Sequence, residues 1–454
     1  MMQKFSAALV VVMLLLLGKV SVTTAGDSIE QPTVWTARQA VIFALQNSPD
    51  SRIAGQRIAA AEAMRQQARS AFHPRLNLSA AYAQTDNPMY SFGNILNQGN
   101  FTNDIDFNNP GRTDNLNMKA EILYRFYNGG QDRAGQEAAD SGYLASKSNR
   151  RTTQHLLGFE VVRAFLNIIQ AQDQADARQA EFAAIDASLQ VATARYEAGD
   201  LLKAEMLNFE VQKARASENL IISTHQAELA RKIFLNLLGL EEGIVNISRE
   251  SAIEQDIPLQ SEYLQRPEIV SLAALLAAAE ADLKKAEGSR YPTVDGFASY
   301  QYDQGYVIDG SGDSWGAGLK LNYNLYDGQQ VSADIARKKA EYQTIKEQLT
   351  KLQLSVNFQI QEAELNYRQA LERRTVTEKM VQVAHESAQL SRERFKEGVI
   401  LSSDLIDTEV RLTDALVRQS AAITNYRIAI ANVRLVAGQQ QFSSTTEELL
   451  ENQP

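Results

Sequence analysis

The chain says much of itself twice, and that repetition limits what it can fold into more than any other feature. Arg195-Tyr-Glu-Ala-Gly-Asp-Leu-Leu-Lys-Ala-Glu205 matches Arg394-Phe-Lys-Glu-Gly-Val-Ile-Leu-Ser-Ser-Asp404, 199 positions on. At the same spacing Phe126-Tyr-Asn-Gly129 meets Leu325-Tyr-Asp-Gly328, Asn167 meets Asn366, and Gly239 meets Gly438. Nearer each start the spacing is 218, where Ser48-Pro-Asp50 faces Arg266-Pro-Glu268 and Phe72-His-Pro74 faces Arg290-Tyr-Pro292. One unit has been duplicated. The 19-residue difference in spacing is a longer connection in the first copy. Asp86 to Asn115, rich in Asn, Gly and Asp and without period, fits it as an exposed loop.

Each unit reads helix, strand, loop, strand, long helix, tip, helix. The strands are expected over 75–84 and 115–127, then 293–302 and 314–326. In the first, Leu76, Leu78, Ala80 and Tyr82 alternate with Arg75, Asn77, Ser79 and Ala81. In the last, Trp315, Ala317, Leu319 and Leu321 alternate with Ser314, Gly316, Gly318 and Lys320. Period two over about ten residues, with aromatics toward the ends, is the pattern of a transmembrane β-strand, though a soluble amphipathic sheet alternates in the same way. Four strands cannot close a barrel, for which about eight is the smallest workable number, and an open edge is not viable in lipid. Strands that span a membrane here must therefore share a barrel with strands of other chains.

The long helices are expected over 131–195 and 329–396, and the closing helices over 202–238 and 402–437. Ile335, Tyr342, Leu349, Val356, Ala363 and Ala370 fall seven apart, as do Leu416, Ile423, Ile430 and Ala437. Heptads sustained over that length predict coiled-coil packing. A helix of some 65 residues would reach about 100 Å, far longer than a compact domain needs. Gly199 and Gly398 supply the left-handed turn that ends each long helix, leaving tips at 196–201 and 397–401. Ser402 or Ser403 is the expected N-cap of the last helix, with Asp404 and Asp407 in its first turns.

Composition decides compartment and excludes chemistry. Lys4 followed by the apolar run Ala7 to Leu17 and the small residues Thr23-x-Ala25 predicts a signal peptide over 1–25. No cysteine is present, so there is neither a disulfide framework nor a lipid-anchoring cysteine. The net charge of −10 becomes −12 once Lys4 and Lys19 leave with the leader, which argues against nucleic acid as a partner. His73, His155, His225 and His385 are scattered without metal-ligand spacing, and Asn128-Gly-Gly130 lacks the Lys-Ser/Thr ending of a phosphate loop. No enzyme, metal site or cofactor is expected. The remaining organisation is a first repeat over 26–240, a linker over 241–263, a second repeat over 264–438, and a C-terminal periplasmic tail over 439–454.

Taken in order, the duplication, the strand starts at Pro74 and Pro292, the Tyr-Asn-Gly-Gly and Tyr-Asp-Gly-Gln turns and the two Arg-aromatic-x-x-Gly tips resemble the TolC-like outer-membrane factor family of efflux and secretion channels. The likeness covers nearly all of the chain beyond the leader. It implies a mixed α/β membrane protein in the outer membrane, a homotrimer in which four strands per chain build one twelve-stranded barrel and the antiparallel coiled-coil helices build a periplasmic tunnel. It implies a periplasmic adaptor (a membrane fusion protein) and an inner-membrane pump of RND, ABC or MFS type as partners, with drugs, toxic compounds or secreted proteins passing through unchanged. Asp404 and Asp407 match acidic rings at the constricted tip, and Glu205 a residue that helps latch it. Ile400 stands where some members carry a basic latch residue, which makes Lys203 a substitute partner. Ala198, Gly199, Asp200 and Leu201, with Glu397, Gly398, Val399 and Ile400, match the adaptor-docking tips. On the residues alone, Asp404 and Asp407 could equally serve only the helix N-terminus. The alternative function is a periplasmic coiled-coil adaptor or structural protein that forms no channel.

Overall fold

The computed structural model describes residues 32–249 and 266–442. The expected leader lies outside them, as do 250–263 of the expected linker and 443–454 of the expected tail. The order of elements is α1 (Ala37–Asn47), α2 (Pro49–Arg69), β1 (Arg75–Thr85), α3 (Pro88–Asn97), β2 (Thr113–Tyr127), α4 (Gln131–Glu197), α5 (Lys203–Leu238), α6 (Pro267–Gly288), β3 (Thr293–Gln304), β4 (Ser311–Asn322), α7 (Gln330–Lys396) and α8 (Ser402–Val436). The long helices α4 and α7 have 67 residues each, about 100 Å.

The four strands form one antiparallel sheet in chain order, with β2 joining the repeats by pairing with β3. Among the described residues, one edge of β1 and one edge of β4 have no partner strand. The two faces differ as the alternation requires. Leu76, Leu78, Tyr82, Trp315, Leu319 and Leu321 are all exposed, an apolar band too large for an aqueous surface. Residues of the alternate set pair with one another: Lys119 with Glu121 at 2.8 Å, Arg125 with Asp295 at 3.1 Å, and Asn117 with Asp303 at 2.8 Å. The last strand ends at Asn322, so Tyr323 to Tyr326 continue the alternation in sequence without being strand.

The expected loop Asp86 to Asn115 is not a loop throughout. Pro88–Asn97 is helical, started by Asn87, whose side chain accepts from the Met89 N–H at 3.1 Å. Phe92, Phe101 and Phe107 close into an aromatic cluster, with Phe92 and Phe107 ring centres 4.6 Å apart. The segment seats on the β3–β4 hairpin: Asn100 Nδ2 donates to the Ile308 carbonyl at 2.6 Å, and a Cβ on Gly312 would run into the Asn97 carbonyl. Aperiodic sequence concealed this order because a single ten-residue amphipathic turn set among Asn and Gly is too short for a period to stand out.

The helices are held by a large core, a second core described below, and a small cluster of Ala363, Val433 and Val436 between α7 and α8. Trp35, Phe43, Phe165, Phe234 and Leu238 centre the larger core, with Trp35 edge-on to Phe43 at 5.2 Å and to Phe234 at 5.8 Å. The start of the expected linker belongs to it, since Trp35 N–H donates to the Asn246 carbonyl at 2.7 Å, Ser248 N–H to the Trp35 carbonyl at 2.9 Å, and Val245 is buried. From the expected tail, Gln441 is buried and its Nε2 donates to the Ala431 carbonyl at 2.9 Å. Along α7, Val356, Ala363 and Ala370 of the heptad are buried, and the same spacing continues to the buried Thr377. Among the described residues no helix is long and apolar enough to cross a membrane.

Candidate functional site

The second core lies at the far end of the hairpins from the sheet. Each long helix stops at a glycine of positive φ, Gly199 at 82° and Gly398 at 74°, a conformation that costs a side-chain-bearing residue strain. The returning helices begin after Leu202 and Leu401, both extended and neither offering a side-chain cap. Ser402 is therefore not the N-cap expected of it. It is the first residue of α8, buried, with its Oγ unbonded, while Ser403 lies one residue further into the helix.

Between the two hairpins Phe209, Phe395, Leu405 and Ala192 pack together, with Leu201 and Ile400 half-buried against them. The Phe209 and Phe395 rings meet at 5.3 Å, close to edge-on. Arg195 bridges the tips. Its Nη1 donates to the Phe395 carbonyl at 2.9 Å, and its guanidinium lies 5.4 Å from the Phe395 ring centre. A carbonyl of the last helical turn is one of the acceptors a helix leaves unpaired, so a cation there serves both that hydrogen bond and the negative end of the helix dipole.

Behind the tips each hairpin has its own ion pair. In the first, Lys213 on α5 meets Asp186 on α4 at 2.5 Å, and that hydrogen bond holds the Asp186 carboxyl below the ordinary carboxylate range. In the second, Arg392 on α7 grips Glu409 on α8 through two bonds, Nε at 2.5 Å and Nη2 at 2.6 Å, which pushes the guanidinium's pKa higher still. Glu409 is buried, so this pair sits in a poorer dielectric than the first and is bidentate as well.

The acidic residues singled out from sequence, Asp404 and Asp407, are exposed one turn apart near the start of α8. Asp407 pairs with Arg411 at 2.6 Å, so its charge is partly answered within its own helix. Among the described residues Lys203 and Glu205 make no ion pair, and no bond joins them. Of the eight tip residues, Leu201 and Ile400 turn toward the small core, while Ala198, Gly199, Asp200, Glu397, Gly398 and Val399 are exposed. Three apolar side chains, Leu202, Val399 and Leu401, stand exposed at the tips. Sequence reasoning did not pick out Leu202, Leu401, Phe209 or Arg195. The Arg-aromatic-x-x-Gly pattern contained Arg195, but a repeated motif does not say which copy reaches which.

Comparison with known proteins agrees with this geometry. The family model described as outer membrane efflux protein matches residues 43–239 and 259–439. TolC of Vibrio cholerae serotype O1 is 24% identical over 426 residues, 89% of this chain and 91% of that one. The outer membrane efflux protein BepC of Brucella suis biovar 1 is 24% identical over 227 residues, 49% of this chain; the matched stretch spans half of BepC. The crystal structure of the Campylobacter jejuni CmeC outer membrane channel superposes with a TM-score of 0.78 at 15% identity, covering 94% of this chain and 93% of that one. A duplicated chain with a four-stranded sheet at one end of two long helical hairpins, matched over both of its repeats, belongs to the outer membrane efflux protein family.

Proposed function

We propose that three copies of this chain form the outer-membrane conduit of a tripartite exporter, receiving cargo from an inner-membrane pump through a periplasmic adaptor. One observation carries the reading: the sheet has an exposed apolar face and an unpaired strand at each edge, yet it is fixed to 100 Å helices whose length suits a tunnel. Pairing β4 of one copy with β1 of the next removes both edges and leaves the apolar face to lipid. The helices then continue the conduit into the periplasm, and cargo passes without chemical change. The exposed apolar residues Leu202, Val399 and Leu401, with the turns around Gly199 and Gly398, form the surface offered to the adaptor.

Within that assembly Asp404 and Asp407 form stacked carboxylate rings at the narrow end, Asp404 carrying more of the charge because Arg411 answers Asp407. Rings of like charge attract cations and bind multivalent ones. Single-channel recording of an Asp404→Asn, Asp407→Asn variant in a planar bilayer is expected to show lower cation selectivity and weaker block by trivalent metal ions. A variant that conducts and is blocked like the parent would leave these acids only a role at the helix start. Mass measurement in detergent tests the assembly, and a monomer there would sink the channel reading.

A further inference from the structure

The two tips have the same sequence pattern and the same backbone, but only one is covered. A Cβ placed on Gly398 would lie 2.8 Å from Arg195 Nη2, whereas one placed on Gly199 meets nothing within 4 Å. The carbonyl groups they flank differ in the same way. Phe395 C=O accepts from the Gly398 N–H at 3.1 Å and also from Arg195. Tyr196 C=O, its counterpart, accepts from the Gly199 N–H at 3.0 Å and, among the described residues, from no side chain, although a carbonyl oxygen has two lone pairs. The counterpart of Arg195 is Arg394, which is exposed and makes no side-chain bond among the described residues. A guanidinium with no side-chain bond and a helix-end carbonyl with no side-chain donor thus stand at the two tips of one chain.

The direction of packing says where Arg394 reaches. Within the chain, first-repeat elements pass contacts forward to the second: β2 pairs with β3, α4 packs on α6 and α8, and Arg195 of α4 holds the end of α7. In a closed ring of alternating repeats the same step carries the second repeat onto the first repeat of the next copy. Resting on the trimeric reading above, we propose that Arg394 clasps the next protomer's first tip, donating to the Tyr196 carbonyl and covering Gly199. Six arginine clasps then encircle the narrow end, three within chains through Arg195 and three between chains through Arg394. Each satisfies a helix-end carbonyl with a cation, and the between-chain set ties the free ends of neighbouring hairpins, where the lever arm from the sheet is longest.

The absence of native cysteine allows a direct test. Arg394→Cys combined with Asp200→Cys is treated with a short bifunctional maleimide in the assembled protein. Arg195→Cys combined with Val399→Cys, the matching in-chain pair, is treated alongside. The clasp predicts that the first pair loses its monomer band on a denaturing gel in favour of covalent dimers and trimers. The in-chain pair should remain at monomer mass with altered mobility, and each single cysteine should give no ladder. A variant that is trimeric by mass in detergent, yet yields only monomer from the first pair while the in-chain pair links, overturns the clasp and leaves the channel standing. A variant pair whose parent protein is itself monomeric in detergent overturns the channel reading and the clasp together.

Discussion

α4 and α7 are copies of one helix, equal in length, and they live in different surroundings. Phe159 on α4 is 8% exposed while Phe358, its counterpart on α7, is 65% exposed; Leu166 is 1% exposed while Leu365 is 66% exposed. Within one chain α4 is packed by α1, α2, α5, α6 and α8, whereas α7 is packed chiefly by α6 and α8. Apolar side chains kept at matched positions are bare in one copy among the described residues, a face that the trimer proposed above fills from a neighbouring copy. Duplication makes this readable, because each covered residue of the first half states what its counterpart is built to meet. In the proposed trimer the chain is then a link in a ring, finished on its leading side and open on its trailing side.

Shortening the same leucine in both helices should separate the two surroundings most widely. Leu166→Ala is expected to cost about 2–5 kcal/mol of folding stability, read as a fall in the thermal midpoint in detergent, because it empties a filled core. Leu365→Ala should leave the helical signal of the chain intact and instead promote dissociation of the oligomer on dilution, by about 2 kcal/mol for the lost apolar contact. Equal dissociation of parent and Leu365→Ala protein would show α7 facing water.

His155 gives the same asymmetry a pH dependence. It is buried on α4 where α7 carries the exposed Leu354, and burial pushes its pKa down to about 4, against the upward pull of Glu268. An unfolded histidine takes up its proton near the ordinary 6.5. The unfolded state therefore binds more protons between these values, and stability falls as pH drops from 6.5 toward 4, by roughly 3 kcal/mol in all. His155→Leu, which copies the second repeat, should flatten the melting temperature between pH 7 and pH 5. An unchanged slope would place the acid sensitivity elsewhere.

The smallest effect belongs to the pair that only the second hairpin has. Thr193 and Glu210 occupy the first-repeat positions of Arg392 and Glu409, so no equivalent bridge exists there. Glu409→Gln keeps volume and one acceptor while removing the charge, and should cost about 1–3 kcal/mol, reduced because Arg392 reaches solvent. Thermal midpoints of Glu409→Gln and Glu210→Gln compared side by side would check it, the second remaining near the parent.

Much of the architecture is legible in the sequence, for reasons tied to period. β1, with Leu76, Leu78, Ala80 and Tyr82 on one face, could only present that face by being a strand. The stripe from Val356 to Ala370 could only bury small residues every seventh position by being a long helix. The helix hidden in the 86–115 insert escaped because one short turn of structure carries too little repetition to announce itself. At the tips, Gly199 and Gly398 were readable as helix ends since their local backbone needs glycine there. The roles of Ser402 and Arg195 were not readable, because a cap and a cross-tip bond depend on where a second segment lies.

Local and repeated preferences alone set two units, four alternating strands, two helices of about 100 Å, and glycine turns at their ends. Each follows from preferences that act over a few residues or recur at fixed spacing. Which of two equivalent positions is filled depends on how distant segments pack: Arg195 lies over Gly398 but nothing among the described residues lies over Gly199, and Phe159 is buried but Phe358 bare. Two copies of one pattern are indistinguishable to any rule of local propensity. Their fates separate only when the chain folds, because one copy gains neighbours from the same chain that the other, among the described residues, does not.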